Sequence, residues 1–123
     1  MRLASQEISV YAYVLMSSEL PATAALLKVL ADENRLRILL LLQGGEACVC
    51  HLTDALGLGQ PNVSQHLAVL KHAGLVSGER RGSWMWYRLL PQDPPRDAVL
   101  RAVLASLPSP ASDDASQKER TCC

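Results

Sequence analysis

Two short helical segments joined by a glycine turn restrict the folds open to this chain more than any other feature. Helix-forming residues occupy positions 50–56, and a tight turn with two glycines follows at 57–59. Pro61 suits the first position of a second helix, where its missing N–H does no harm. In this helix apolar residues recur at i, i+4 and i+7, which marks a buried face: Val63, Leu67 and Leu70. The arrangement predicts a helix-turn-helix.

The outward face of the second helix carries small polar side chains. At roughly 100° per residue, one set points away from the buried face: Gln65, Ala68 and His72, flanked by Asn62 and Ser64. In a helix-turn-helix the second helix enters the major groove with its N-terminal residues at the base edges. Asn and Gln can bind adenine through two hydrogen bonds, and Ser can bind several bases. The face therefore predicts contacts to double-stranded DNA.

A β-hairpin is predicted directly after the two helices. Residues that favour strands flank a turn at 81–83: Val76 before it, and Trp84, Trp86, Tyr87 and Leu89 after it. A hairpin in this position is a wing, and its Arg80 and Arg81 are expected to reach phosphates or the minor groove. Positions 60–90 hold four basic residues and one acidic residue, whereas the whole chain has zero net charge. Charge sorted in this way suits a docking face for phosphate.

Helices with ordinary start and stop signals surround this unit. Asp32 is the expected N-cap of a helix over residues 33–42, which two glycines then end. A shorter helix over residues 22–30 precedes it, and a last helix follows Asp93 and two prolines. The predicted fold class is therefore mainly α with a small β-hairpin, a winged helix-turn-helix.

Apolar stripes at both chain ends predict a dimer. They consist of Ile8, Tyr11, Ala12 and Leu15 at one end, and of Val99, Leu100, Val103, Leu104 and Leu107 at the other. We expect them to pack across a two-fold axis, with intramolecular core as the alternative, and to set two recognition helices on a near-palindromic site. The predicted division is a dimerisation helix or arm at 1–20, the winged helix-turn-helix at 21–91, a C-terminal dimerisation helix at 92–108 and a flexible polar tail at 109–123.

Length and motifs exclude several classes of protein. A chain of 123 residues fits one domain. Its longest apolar run, residues 38–42, is too short to span a bilayer, and its N-terminus fits a signal peptide poorly. We therefore expect a cytoplasmic location and no membrane partner. The chain has no nucleophile elbow and no phosphate-binding loop, so no enzyme activity is expected.

The four cysteines form two close pairs, Cys48 with Cys50 and Cys122 with Cys123. Neither spacing resembles the disulfide framework of a small secreted domain. Soft thiolates bind zinc, cadmium and copper(I), and trivalent arsenic and antimony are thiophilic by the same logic. Side chains at i and i+2 of a regular helix point to nearly opposite sides. One ion is thus held by both Cys48 and Cys50 only if the first helical turn unwinds or the pair stays outside the helix.

In order along the chain, four strings resemble the ArsR/SmtB family of metal-sensing repressors, and its arsenic-responsive branch in particular. They are LADENRLRILLLL, ACVCHL, QPNVSQHLAVLKHAGLV and GERRGSWMWYRL, which together cover roughly residues 26–91. The resemblance implies a homodimer that represses a resistance operon and leaves operator DNA when a thiophilic ion binds. It also implies that Cys48 and Cys50 are inducer ligands, and it matches one segment to the recognition helix: Ser64, Gln65 and His66.

The chain departs from the arsenic-responsive pattern at two positions. Thr53 stands where a third cysteine is common, and Gly59 stands where a serine commonly precedes Gln-Pro. The missing ligand is expected first from Cys122 or Cys123 of either protomer. A solvent thiol, or an organic arsenical with only two open positions, is the alternative. Because His51 follows Cys50, a zinc or cadmium site is a further alternative. The resemblance also implies another zinc site on the last helix with Asp and His ligands, but this helix has Asp97 and no His.

The complete prediction is a DNA-binding repressor with arsenic(III) or antimony(III) as inducer and no organic cofactor. The predicted ion ligands are Cys48, Cys50, Cys122 and Cys123. The predicted DNA contacts come from the recognition helix and the wing: Gln60, Asn62, Ser64, Gln65, His66, Lys71, Arg80 and Arg81. Thiol oxidation is an alternative trigger on the same scaffold, and a soft-metal-binding protein without a DNA function is the alternative from another class.

Overall fold

The computed structural model describes residues 19–108, together with Val10 and Ala12. Within 19–108 the elements are α1 (Glu19–Leu30), α2 (Glu33–Gln43), β1 (Ala47–Cys48), α3 (Val49–Leu56), α4 (Gln60–His72), β2 (Val76–Arg81), β3 (Trp84–Leu89) and α5 (Arg96–Ala105). The strands form one antiparallel sheet in the order β1-β3-β2. No helix in this described part is long and apolar enough to cross a membrane.

Two predicted segments lie outside the described residues. The N-terminal stripe falls within residues 1–18, of which Val10 and Ala12 alone are described, and both are exposed. The polar tail at 109–123, with Cys122 and Cys123, also lies outside. The roles of these segments in dimerisation and ion binding therefore stay predictions.

The helix-turn-helix consists of α3 and α4, as the apolar spacing predicts. The residue after α3 is Gly57, whose φ of 68° is a left-handed conformation that glycine adopts without strain. Gly59 then serves as the N-cap residue of α4, and Pro61 lies in its first turn. The predicted inner face of α4 is confirmed by three fully buried side chains: Val63, Leu67 and Leu70.

One hydrophobic core joins all the helices of the described part. Besides the inner face of α4 it contains apolar residues from each remaining helix: Leu26, Leu30, Ile38, Leu39, Leu42, Val49, Leu52, Leu100 and Leu104. Leu100 and Leu104 belong to the predicted C-terminal stripe, so two of its five residues lie in the intramolecular core, as the alternative proposed. Val99 and Val103 on the same helix are only partly buried.

The start of α2 confirms the predicted N-cap. The Asp32 carboxylate accepts hydrogen bonds from the backbone N–H groups of Asn34 at 2.9 Å and Arg35 at 3.1 Å. These bonds satisfy donors that a helix start otherwise leaves open. The Arg35 N–H, helped by the nearby His66 and Arg35 side chains and the Asn34 N–H, lowers the pKa of Asp32 despite its partial burial.

The sheet contains one strand more than the sequence predicts. β2 and β3 pair along their full length around a turn at 82–83, which is the expected wing. β1 adds to the outer edge of β3, with Ala47 opposite Tyr87 and Cys48 opposite Trp86. A strand of two residues has no alternation by which a sequence reveals it. β1 attaches the segment that leads into α3 to the wing.

Candidate cysteine site and DNA-facing surface

The predicted ligands Cys48 and Cys50 lie side by side. Cys48 is the last residue of β1 and the N-cap residue of α3, with extended backbone at φ −88° and ψ 161°, and Cys50 lies in the first turn of α3. Their Sγ atoms are 2.8 Å apart. Of the two alternatives that helix geometry left open, the structure matches the second in part, because Cys48 stands outside α3 whereas Cys50 lies in its first turn. Both sulfur atoms therefore face one point without unwinding of α3.

The cysteine pair, Cys48 and Cys50, is buried beside an imidazole. Cys48 is 0% exposed and Cys50 is 8% exposed. A ring nitrogen of the half-buried His51 and the two sulfur atoms all lie within 4.8 Å of one another. The ring of His51 meets the ring of Trp86 edge to face, with the ring centres 6.1 Å apart. Two soft donors and one borderline donor thus meet where β1, β3 and α3 join.

Thr53 occupies the position at which the resemblance leads one to expect a third cysteine. Its Oγ1 donates a hydrogen bond to the carbonyl oxygen of Cys50 at 2.8 Å. The hydroxyl group therefore binds the backbone of α3. Within residues 19–108, the residues that come together as possible ion ligands are Cys48, Cys50 and His51.

An ion-pair cluster connects the segment before the cysteine pair to the tip of the wing. Arg81 donates hydrogen bonds to both carboxylate oxygens of Glu46 and to Glu79, each at 2.9 Å. The Arg81 guanidinium also lies over Trp86, 5.3 Å from the ring centre. Hydrogen bonding from Arg81 holds the pKa of Glu46 below its usual value. Because the side chains of Arg81 and Glu46 are 42% and 41% exposed, salt screens their attraction.

Most predicted DNA contacts are exposed on α4 and on the wing. The exposed ones are Gln60, Asn62, Ser64, Gln65, Lys71 and Arg80. No acidic residue occurs in α4, so its outward face carries no charge that repels phosphate. The structure thus leaves these residues exposed on α4 and on the wing, and their contacts with DNA stay predictions.

Two predicted DNA contacts have partners within the protein. Nδ1 of His66 lies 3.4 Å from Nη1 of Arg35 and 3.9 Å from Oδ1 of Asp32, and its side chain is 19% exposed. His66 therefore packs α4 against the start of α2. Arg81 is held in the ion-pair cluster described above. Contacts of His66 and Arg81 with DNA therefore stay predictions.

The C-terminal end of α4 is fastened by residues that the sequence did not single out. Arg96 donates to the carbonyl oxygen of Ala73 at 2.6 Å, and Gln92 donates to that of Gly74 at 2.8 Å. Arg96 and Gln92 also bind each other at 3.1 Å. A cation at a helix C-terminus satisfies open carbonyl groups and complements the helix dipole. The signal for this clamp is weak, since Arg96 lies 23 residues from its acceptor.

Comparison with known sequences places this geometry among bacterial regulators. The family model described as bacterial regulatory protein, arsR family, matches residues 32–77. An arsenic resistance transcriptional regulator of Pseudomonas putida is 49% identical over 79 residues, which is 63% of this chain and 62% of that protein. The arsenical resistance operon repressor of Escherichia coli is 51% identical over 70 residues, which is 56% of this chain and 60% of that protein. The match thus spans about three-fifths of each relative.

A solved structure extends the likeness to most of the described fold. The homodimeric winged helix-turn-helix DNA-binding domain of a possible ArsR-family regulator from Mycobacterium bovis superposes with a TM-score of 0.62 and 30% identity. The superposition covers 85% of this chain and 91% of that domain. The winged helix-turn-helix architecture is therefore common to both.

Proposed function

Because the chain belongs to the arsR family of bacterial regulatory proteins, we propose that it represses a metalloid-resistance operon. It binds near-palindromic operator DNA as a homodimer. It leaves that DNA when trivalent arsenic or antimony binds the thiolates of Cys48 and Cys50. Relatives named for arsenic resistance support this proposal, and a transcriptional regulator of this kind needs no catalytic activity.

One observation carries the proposal: Cys48 belongs to two structural units at once. It ends β1, where it pairs with Trp86 of the wing, and it is the N-cap residue of α3, the first helix of the helix-turn-helix. A group that binds Cys48 therefore acts on the wing and on the support of the recognition helix together. DNA needs both surfaces in one arrangement, since the helix contacts bases and the wing contacts the backbone.

An ion that binds Cys48 and Cys50 is held by residues of two elements, since Cys48 ends β1 and Cys50 lies in the first turn of α3. Both side chains are buried, so the ion acts on the packing around them. The coupling is reciprocal, so DNA weakens ion binding as much as the ion weakens DNA binding.

The second half of the proposal is the DNA-facing surface. The polar start of α4 supplies base contacts from Asn62, Ser64 and Gln65, and Lys71 with Arg80 supplies phosphate contacts. All of these side chains are exposed and free of acidic neighbours on α4. Arg81 joins them when it exchanges Glu46 and Glu79 for phosphate. A DNA contact from His66 has less support, because this side chain is packed against Asp32 and Arg35.

The proposed dimer uses apolar surface that the described part leaves exposed. On α1, Leu20 and Leu27 are 53% and 48% exposed. Val99 and Val103 of α5 are only partly covered. The homodimeric Mycobacterium bovis domain supports this state. We propose that residues 1–20 and 92–108 form the interface around the DNA-binding part at 21–91, and that the tail at 109–123 stays outside it.

The test is a fluorescence anisotropy titration of the full chain on the DNA upstream of its own gene, under reducing conditions. We expect tight, salt-dependent binding in the nanomolar range. Arsenite added to the complex should release the DNA. Zinc, cadmium and peroxide are added in parallel, because each corresponds to an alternative trigger.

The control variants distinguish a loss of ion binding from a loss of DNA binding. Cys48→Ser and Cys50→Ser should bind DNA as the wild type does and ignore arsenite. A double variant, Cys122→Ser with Cys123→Ser, reports whether the tail takes part. Full release of the Cys48→Ser variant by arsenite would refute the ligand assignment, and the absence of any salt-dependent duplex binding would refute the repressor itself.

A further inference from the structure

We propose that the groove between α1 and α4 binds a small carboxylate with an apolar body, such as an aromatic acid. The carboxylate pairs with Arg96 at the edge of the groove, and the apolar body lies between the two helices. The cysteine pair is not among the residues that line this groove. The site therefore goes beyond the proposed function, and it is testable on the protein without DNA.

The groove has the size and the lining of a small-molecule site. Its volume is about 660 Å³, and its walls contain Ala25, Leu26 and Val29 of α1 and Ala68 and Val69 of α4. Sites for small ligands typically measure about 300–1,000 Å³ and combine a mostly apolar lining with a few polar groups. Leu26 is 2% exposed and Val69 is 38% exposed. The groove thus reaches from the surface to the hydrophobic core.

Arg96 gives the groove a positive charge that has no acidic partner among the described residues. Its Nη2 donates to the carbonyl oxygen of Ala73 at 2.6 Å and its Nε donates to Gln92 at 3.1 Å. Both acceptors are neutral. The neighbouring Asp97 pairs with Arg101 instead, at 2.9 Å. A guanidinium group binds a carboxylate through two parallel hydrogen bonds, so charge complementarity selects an anionic ligand.

The groove lies on a different side of α1 from the apolar residues assigned to the proposed dimer. At roughly 100° per residue, Ala25 and Val29 point nearly opposite to Leu20 and Leu27. A ligand in the groove and a second protomer against Leu20 and Leu27 therefore use separate faces of the helix. The ligand site is thus compatible with the homodimer.

A ligand on Arg96 also acts on the clamp at the C-terminal end of α4. An ionised acceptor forms a stronger hydrogen bond with a guanidinium group than a neutral carbonyl does. A carboxylate that binds both Nη atoms therefore draws Nη2 away from the carbonyl oxygen of Ala73. Gln92 still donates to the carbonyl oxygen of Gly74. Occupation of the groove thus loosens the end of α4 without releasing it.

The experiment is a calorimetric titration of the full chain with naphthoate, under reducing conditions and without DNA. Naphthalenemethanol is the matched neutral probe, because it keeps the fused rings and lacks the charge. We expect one naphthoate per protomer. Its affinity should exceed that of the alcohol by about 10-fold or more, the scale of a hydrogen bond to a charged group.

Variants distinguish the charge of Arg96 from a general effect of net charge. Arg96→Gln should lower the affinity for naphthoate by about 10-fold and leave that for naphthalenemethanol unchanged. Arg101→Gln removes the same charge from an exposed position on the same helix and should change neither affinity. Circular dichroism of Arg96→Gln verifies that its helices are intact.

Ala68→Trp tests the groove without altering the clamp. Ala68 is exposed on α4 and lines the groove, so a tryptophan there fills the space. This variant should bind neither probe. Unchanged binding of naphthoate by Ala68→Trp would overturn the proposal. It would also be overturned by wild-type protein that does not bind naphthoate, or by equal losses in Arg96→Gln and Arg101→Gln.

The outcome is independent of the repressor proposal. Naphthoate binding that depends on Arg96, in a protein that does not bind DNA, would retain this inference and remove the proposed function. DNA release by arsenite, together with no binding of naphthoate, would do the reverse.

Discussion

The starts of α2 and α3 have similar backbones and different side chains. The residue before each helix is extended, with φ −150° and ψ 126° at Asp32 and φ −88° and ψ 161° at Cys48. Asp32 accepts two backbone N–H groups of its own helix, whereas the side chain of Cys48 caps none. The Cys48 sulfur instead faces Cys50. One helix start is capped by its own side chain, whereas at the other the side chain contacts a second cysteine.

Under the proposed function, the contrast assigns stability to the start of α2 and response to the start of α3. A carboxylate cap contributes typically about 1 kcal/mol to a helix, and the domain does without it at α3. Regions that switch are drawn from the less stable parts of a protein. The side-chain cap is missing at Cys48, which is also the last residue of β1. The following predictions test this division, beginning with the largest expected effect.

Cys48→Ser should convert the responsive helix start into one like that of α2. Serine is a good N-cap, so the stability of the variant should equal or exceed that of the wild type by thermal unfolding. Its response to arsenite should disappear, whereas effectors typically change affinity by roughly 5–150-fold. Anisotropy on operator DNA with and without arsenite measures both. A variant that unfolds more easily and still responds would contradict the comparison.

Thr53→Cys should increase the sensitivity of DNA release to arsenite, because it supplies a third sulfur ligand on α3. We expect half-release of DNA at an arsenite concentration lower by about 10-fold or more, the scale on which ligand environment alters metal affinity. Thr53→Ser keeps the hydroxyl that binds the carbonyl of Cys50 and should behave as the wild type does. Equal arsenite sensitivity in all three proteins would show that residue 53 does not reach the ion.

Asp32→Ala should weaken the closed helix start by about 1 kcal/mol, measured by urea unfolding at neutral pH. Because folding lowers the pKa of Asp32, its contribution is full above the unfolded value near 3.9. It fades as pH falls through the lower folded value. The gap between wild type and Asp32→Ala should therefore narrow below about pH 4. Asp32→Asn keeps a cap without the titration, so the difference in unfolding free energy between Asp32→Asn and Asp32→Ala should not change with pH. A difference between these two variants that also narrows at low pH would reject this cause.

Glu46→Gln should have the smallest effect. It removes a charged partner of Arg81 and leaves the arginine more available to phosphate. The dependence of DNA affinity on log salt should become steeper by up to about 0.9, the value of one phosphate contact. Glu79→Gln is the matched control, because Glu79 binds Arg81 through one oxygen rather than two. An unchanged slope in Glu46→Gln would mean that Arg81 stays away from DNA.

The sequence predicted those features that depend on local spacing. The inner face of α4 follows from a 3.6-residue period, and the Asp32 cap and the Gly57 turn follow from residue type at a helix end. The wing follows from strand-forming residues around a turn. Each of these features involves residues within a few positions of one another, where backbone geometry leaves few choices.

The features that the sequence missed depend on contacts between distant positions. Cys48 converges on Cys50 because β1 pairs with β3 and holds Cys48 in an extended conformation. The ion pair of Glu46 with Arg81 spans 35 residues. His66 lies on the edge of the inner face of α4, and its ring contacts Arg35 and Asp32 at the start of α2. The convergence of the two sulfur atoms and the ion pair at the wing are therefore tertiary effects.

The Arg96 clamp makes α4 a lever with its pivot at the C-terminal end. The helix has 13 residues and is thus about 20 Å long. A tilt of about 5° around the clamped end moves the N-terminal residues by about 1.7 Å over that length. Such a displacement exceeds half the length of a hydrogen bond. Under the proposed function, a small movement of α3 is thereby magnified at the N-terminal end of α4, which carries the proposed base contacts.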